Sequence, residues 1–437
     1  MIINRKSILF LVAITIATNA APIDNGHFYK AAQLHRSSTT SWFDESKKYE
    51  NYDWFTKIDA SYAYGETKSC WDKNDHSAPL LNSTGSYNML YIFENVVKTP
   101  SVQDYATFFG EVTNHAETNG TFGLLDFNGK FKINDFNINI RQNLVSNFFL
   151  ELLTPIRNVS ISNISYNDRS PATGFYSKNT PNWINFLNNF DTVLSNYGLN
   201  TYNKKFNKTA FGDITLLGGW QGDFKTEGED PMRFALTTKL GILFPSGAKE
   251  NTNYLFSVPT GYNGHWGIPI FGQFDIMPKK WFTFTAHGSA AFFFDKTMNK
   301  RMKTFSKQEG YLRLAQGNAK EEKGTLWHIG LDAKIDHFLK GLSFLFGYSY
   351  NKQEKDTLNP SDTTLFDSTT VNGDSLLKGW TMQVLHFMFD YDFSVHMKDS
   401  KWAPRLNVFY NYPFDGKNAF KTDMIGGGLG LDIRWKI

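Results

Sequence analysis

The chain has 437 residues, and its 45 Lys+Arg against 42 Asp+Glu leave a formal charge of +3. That near balance lacks the basic face or stripe by which nucleic-acid binding shows itself. The single cysteine, Cys70, excludes an intramolecular disulfide framework and reads as a free loop thiol. Aromatic residues make up 16% of the chain while mean hydropathy is −0.39, so the rings are interleaved with polar residues. A wall with lipid on one side and water on the other needs that mixture.

At the N-terminus Arg5 and Lys6 precede an apolar run from Ile8 to Ala17, followed by Thr18, Asn19, Ala20 and Ala21. A charged, then apolar, then small-residue order predicts a secretory signal over 1–20, cleaved after Ala20 or Ala21. The run is about half the ~20 apolar residues that a membrane anchor needs. Residues 21–53 form a polar segment without clear periodicity. Residues 54–437 are read as one unit. Within it the stretch from Ser86 to Val112 is ambiguous between helix and strand and is not counted among the strands.

From Trp54 the pattern has period two, the mark of strands with two unlike faces. Trp54, Thr56, Ile58, Ala60 and Tyr62 oppose Lys57, Asp59 and Ser61. Leu125, Phe127, Phe131 and Ile133 oppose Asp126, Asn128, Lys130 and Lys132, and Phe136, Ile138 and Ile140 oppose Asn137, Asn139 and Arg141. The same split recurs around Glu151 and Lys239. It returns in Trp327–Asp336, in Leu385–Phe393 and in Leu429–Ile437. A Lys or Arg facing lipid at mid-membrane costs ~2–4 kcal/mol, so the apolar parity is expected outward and the charged parity inward.

Tight links at Pro278-Lys279-Lys280 and Phe338-Leu339-Lys340-Gly341 alternate with polar excursions, 245–265, 295–325, 352–378 and 415–422. Short periplasmic turns and long extracellular loops produce that rhythm. The expected fold is all-β, a transmembrane antiparallel up-and-down barrel of about fourteen strands (twelve to sixteen). One helix interrupts it. Trp183, Phe186, Leu187, Phe190, Val193, Leu194 and Tyr197 follow helical spacing over about 181–197, with Thr180 as N-cap, Pro181 first and Gly198 as stop. It is expected in an extracellular loop, either folded into the lumen or packed on the rim.

The inward charges expected to line a pore are Lys57, Asp59, Lys130, Lys132, Arg141, Glu151, Lys239, Asp275, Asp332, Lys334, Asp336, Arg405 and Arg434. Aromatic girdles are expected from Trp327, Trp380 and Tyr412 at the outer surface, and from Trp54, Trp281, Trp402 and Trp435 at the inner one. Lys296, Lys300, Arg301, Lys303 and Lys307 form a basic loop, read as solvated or as touching lipopolysaccharide phosphates. His287 and Ser289 share one face. They are read as an accidental lumen pair, because Ala290-Ala291-Phe292 follows instead of a polar run.

The segment Gly426-Gly-Gly-Leu-Gly-Leu-Asp-Ile-Arg-Trp-Lys-Ile437 resembles the C-terminal assembly signal of Gram-negative outer-membrane proteins. Leu429, Leu431, Ile433 and Trp435 match its alternating apolar positions, while Ile437 replaces the usual terminal aromatic and Asp432 a glycine. Phe211–Leu217 and Leu243–Gly247 are similar to strand phrases of aromatic-degradation and fatty-acid transporters, although the Asn-Pro-Ala hatch of the latter is absent from the sequence. The resemblance implies the bacterial outer membrane, with lipid, the barrel-assembly machinery and small solutes as partners. The leading expectation is porin-like passive transport through a water-filled lumen, with no cofactor, metal or catalytic residues. The alternatives are a plugged structural or adhesin-type barrel and an exported soluble β-sandwich.

Overall fold

The computed structural model describes residues 54–96, 107–109, 111–112, 122–144, 147–199, 205–227, 232–397 and 401–435. The expected signal 1–20 and polar segment 21–53 lie outside these residues. So do the side chains of Trp54, Arg434 and Trp435.

Twelve antiparallel strands form one closed ring. In chain order they are β1 (Trp54–Thr67), β2 (Leu124–Asn143), β3 (Phe148–Asp168), β4 (Ile214–Lys225), β5 (Arg233–Phe244) and β6 (Gly267–Lys279). They continue as β7 (Phe282–Phe293), β8 (Leu326–Leu339), β9 (Leu342–Gln353), β10 (Trp380–Asp392), β11 (Trp402–Lys417) and β12 (Asp423–Trp435). Each pairs with its chain neighbours, and β1 closes on β12 from Trp54↔Trp435 to Glu66↔Asp423. Closure leaves no strand edge in the hydrocarbon, which is what lets a sheet cross a membrane. Among the described residues no helix is long and apolar enough to do so.

The ring therefore has twelve strands where the sequence pattern predicts about fourteen. The long polar excursions carry strands of their own, outside the ring. Lys296–Arg301, Gln316–Glu322 and Thr357–Pro360 pair into a separate three-stranded sheet within the long loops. Phe206–Phe211 pairs with the upper part of β3 and leads through Gly212 and Asp213 into β4, which pairs with the lower part. The ambiguous stretch contributes a bridge at Tyr87–Asn88 and a single helical turn, Met89–Ile92.

Parity sorts the wall. Leu240, Ile242, Ile329, Leu331, Phe389, Leu406, Val408, Ile425 and Leu429 are exposed on the outside. Their neighbours of opposite parity, such as Asp332, His386, Asp390, Arg405 and Asp432, are buried inside. Trp281, Trp402 and Tyr412 are exposed on the outer surface, and Trp327 shares the outward parity of Ile329 and Leu331. Trp380 departs from its expected place. It is only 3% exposed, faces inward with Met382 and Val384, and donates its indole N–H to Gln353 at 2.8 Å. An indole that finds an acceptor inside has no need of the headgroup layer.

Together these features make the chain a transmembrane β-barrel of the outer-membrane type, with apolar residues toward lipid and ionic ones toward its axis.

Candidate functional site: the barrel interior

The interior has two chemically distinct zones. At the end that carries the long loops it is aromatic. The predicted helix forms as two short pieces, α1 (Pro181–Asn188) and α2 (Phe190–Asn196), separated at Asn189. Pro181 opens α1 as expected, but Thr180 makes no side-chain cap. Gly198 follows α2 at φ +71°, a left-handed stop suited to glycine. Trp183, Phe186, Phe190, Val193 and Leu194 are buried.

They pack into the mouth rather than on its rim. Trp183 stacks on Phe186 with centroids 5.3 Å apart, and Phe109, Phe122 and Phe93 approach the pair at 5.0, 5.2 and 5.7 Å. Phe190 meets the wall residues Tyr166 of β3 and Phe127 of β2. The Trp183 indole N–H donates to Asp168 at 2.8 Å, so the one polar atom carried into the cluster is satisfied.

The plug reverses the expected orientation of upper β2. Leu125, Phe127, Phe131 and Ile133 face inward and are wholly buried against it. Lys130 and Lys132 therefore point outward, away from the lumen, and both reach Glu66 at 2.6 and 3.5 Å. These two expected pore-lining residues are corrected. The apolar parity continues toward the axis here because the axis is occupied by aromatic rings instead of water.

Below the plug the wall is polar, and Lys57, Asp59, Arg141, Glu151, Lys239, Asp275, Asp332, Lys334, Asp336 and Arg405 all take the expected inward parity. Arg405 joins Asp432 at 2.8 Å and Asp59 at 3.2 Å, with Lys57 3.6 Å from Asp59. Gly430 makes room for this group, since a Cβ there would come within 2.7 Å of an Asp59 oxygen. Lys334 pairs with Asp336 at 2.7 Å, and Lys239 with Glu151. The Arg141 guanidinium lies 3.7 Å from the centre of the Phe149 ring. Arg157, which the sequence pattern did not single out, bridges Asp135 at 3.1 Å and the Thr260 carbonyl at 2.8 Å.

These charges do not line open water. Asp275 is 2% exposed, and the other inward charges are buried or, for Lys239, nearly so. Buried ionisable groups are tolerated when paired or hydrogen-bonded, and Asp275 accepts hydrogen bonds from Gln273 and Thr285.

Across the middle of the wall runs a row of three buried histidines. His287 Nδ1 meets His328 Nε2 at 3.1 Å, and His328 Nδ1 meets Asn351 Oδ1 at 2.7 Å. Asn351 donates to Ser349 at 3.3 Å, Ser349 meets His386 Nε2 at 2.8 Å, and His386 Nδ1 meets Asn411 Oδ1 at 2.8 Å. Ser289 shares the inward face with His287, yet its hydroxyl is buried without a hydrogen bond. The two do not form a nucleophile and base. Among the described residues no cluster of three or more His, Cys, Asp or Glu is placed to hold a metal ion.

The basic loop is not a free patch. Lys300 is buried against Glu321 at 2.9 Å, Arg301 donates to the carbonyls of Tyr197 and Leu314, and Lys303 is buried. Burial pushes the Glu321 carboxyl up. The Lys300 ammonium and a hydrogen bond with His265 outweigh that and hold it well below the usual carboxylate range. Lys300 is held above the ordinary lysine value, the nearby Glu321 and Glu250 carboxylates overcoming the opposing effect of burial. Lys300 and Arg301 thus tie the loop sheet to its neighbours, while Lys296 is half-buried and Lys307 exposed. Cys70 forms no disulfide and is fully buried, its thiol 3.2 Å from the Pro79 carbonyl.

No protein-family profile and no curated protein matches the chain. Similar solved structures include an outer-membrane channel from Pseudomonas putida F1, 12% identical, covering 87% of this chain and 95% of that one at TM-score 0.46. The translocator domain of the autotransporter NalP from Neisseria meningitidis is 8% identical over 88% and 90%, at TM-score 0.33. The toluene transporter TbuX from Ralstonia pickettii is 9% identical over 88% and 90%, at TM-score 0.32.

Proposed function

We propose that this barrel passes small, largely apolar solutes passively across the outer membrane, through a mouth that α1 and α2 close in the state described. One observation carries the reading. The mouth is an aromatic cluster, while the wall beneath it is polar and internally paired. An aromatic antechamber favours uncharged rings and chains through apolar burial and ring–ring contact. It opposes ions, which would have to shed water without finding free partners. This departs from the expected standing water-filled pore. Buried inward charges support a closed resting state instead.

The second reading is a structural or adhesin-type barrel that never opens. The same plug favours it. Cells with an intact lipopolysaccharide leaflet separate the two through entry of N-phenylnaphthylamine, an uncharged dye that fluoresces in membranes. Cells carrying the protein should take up the dye faster than cells lacking it. Deleting residues 181–197 should speed entry further. Equal entry in all three strains, with the barrel folded, would leave the structural reading standing.

A further inference from the structure

The histidine row carries more information than its distances, because its donors and acceptors must be ordered. The Asn351 amide nitrogen lies 3.3 Å from the backbone carbonyl of Met382, a group that can only accept. That contact fixes the amide, with its nitrogen toward Met382 and Ser349 and its oxygen toward His328. His328 Nδ1 must then carry hydrogen. Onward from Asn351, its nitrogen donates to Ser349, the Ser349 hydroxyl to His386 Nε2, and His386 Nδ1–H to Asn411. His386 is thereby satisfied as a neutral ring.

The other end does not close with neutral rings. If His328 is neutral its Nε2 is a lone pair, so His287 must donate from Nδ1 across the 3.1 Å contact. A neutral His287 would then aim its own lone pair at Asp332 Oδ2, 3.5 Å from Nε2. Placing the hydrogen on Nε2 instead sets two lone pairs against each other between the imidazoles. Either neutral arrangement leaves one repulsive contact.

We propose that His287 and His328 together hold one proton more than two neutral imidazoles, as a single shared cation with Asp332 as its counterion. With that proton every contact in the row is a donor facing an acceptor. A second proton would put N–H against N–H at 3.1 Å. The pair is thus a one-proton site inside the wall, spanning β7 and β8 and coupled through Asn351 and Ser349 to β9 and β10.

The charged and titratable groups around it fit this count. Asp275 lies on β6 beside the donors Gln273 and Thr285, and β8 adds Lys334 and Asp336 below Asp332. Lys239 on β5 is engaged with Glu151. Near His386 are Asp390 on its own strand and Arg405 on β11, the latter held by Asp432 and Asp59. Lys334, Lys239 and Arg405 each have a carboxylate partner, and Asp332 faces His287.

The test is nitrogen-15 NMR of histidine-labelled full-length barrel in detergent micelles at pH 7.5, with His287 and His328 assigned by single replacements. The expected wild-type spectrum has one cationic imidazole equivalent shared by these two rings and a neutral His386. Asp332→Asn should abolish the cationic signal. Two neutral rings in the folded wild-type protein would overturn the proposal, whether or not the variant folds. A cationic signal that persists in folded Asp332→Asn would overturn the assignment of the counterion. Neither outcome depends on what the barrel transports.

Discussion

Replacing Trp183 by Ala tests whether the mouth is held shut by aromatic packing. Trp183 is 0% exposed and lies among Phe186, Phe122 and Phe109, with its indole N–H on Asp168. Truncating a fully buried Phe or Trp to Ala costs ~3–5 kcal/mol. The cluster packs inside the upper ends of β2 and β3, whose backbone pairing does not involve Trp183, so the loss falls mainly on docking of α1–α2. At about 1.4 kcal/mol per factor of ten, the undocked fraction should rise by roughly two to three and a half orders of magnitude. Ile184, on the same helix but 43% exposed, provides the control. Its replacement by Ala should stay within about 0.5 kcal/mol. Planar-bilayer recording then reads the difference. The wild-type and Ile184→Ala barrels should be mostly silent, and Trp183→Ala should show frequent openings. A folded Trp183→Ala barrel as quiet as wild type would refute the idea that this packing closes the mouth.

Two further changes probe the charges. Arg405→Leu leaves Asp59 and Asp432 buried beside each other, so it should destabilise the barrel by ~3–5 kcal/mol. Lys130→Leu removes only an outward ion pair with Glu66 and should cost ~0–1 kcal/mol. Urea titration of the folded band on unboiled gels reads both, and a larger effect at Lys130 would contradict the inward and outward assignments. Glu321→Gln leaves the buried Lys300 ammonium with only the more distant Glu250 carboxylate at 3.7 Å, so the loop sheet should become more readily cut by protease while the ring stays intact. Because the folded Glu321 carboxyl titrates below its unfolded value, its contribution is complete above the usual carboxylate range and is lost as pH falls through the folded value. Wild-type loops should accordingly become protease-sensitive on acidification. Equal sensitivity of wild type and Glu321→Gln at neutral pH would show that this pair is not what holds the sheet.

The wall was legible because burial on one face repeats every second residue, whatever the neighbours. Lys57 and Asp59 on β1, Asp332 and Lys334 on β8 and Asp390 on β10 all take the side their parity predicts. Parity divides a strand into two faces but does not say which one meets lipid. On upper β2 both faces could be reconciled with the sequence, and the plug decided it by making the interior apolar. Trp380 misled for a related reason. An aromatic at the end of a strand suits the membrane surface, yet Gln353 on the neighbouring strand gives it an acceptor inside. The polar excursion 295–325 is read from sequence as a loop, and it stays outside the wall, but its polarity gives no sign that Lys296–Arg301 and Gln316–Glu322 pair within it. At six and seven residues they are too short for the ~9–11 residues of a membrane-crossing strand.

The histidine row marks where sequence reading stops and register begins. His287 to His328, His328 to Asn351, Ser349 to His386 and His386 to Asn411 are separated by 41, 23, 37 and 25 positions. No motif has such spacings, because each is two partial strands plus whatever connection lies between them. Loops of unrelated length can be inserted without moving the row, provided that the register survives. What brings the rings together is the pairing Ser289↔His328↔Asn351 and Gly347↔His386↔Asn411, laid down strand by strand. A one-residue slip between β8 and β9 would turn Asn351 and Ser349 to the lipid side and break the row along with the parity of the wall. The hydrophobic pattern that keeps lipid outside therefore also assembles the polar chain within.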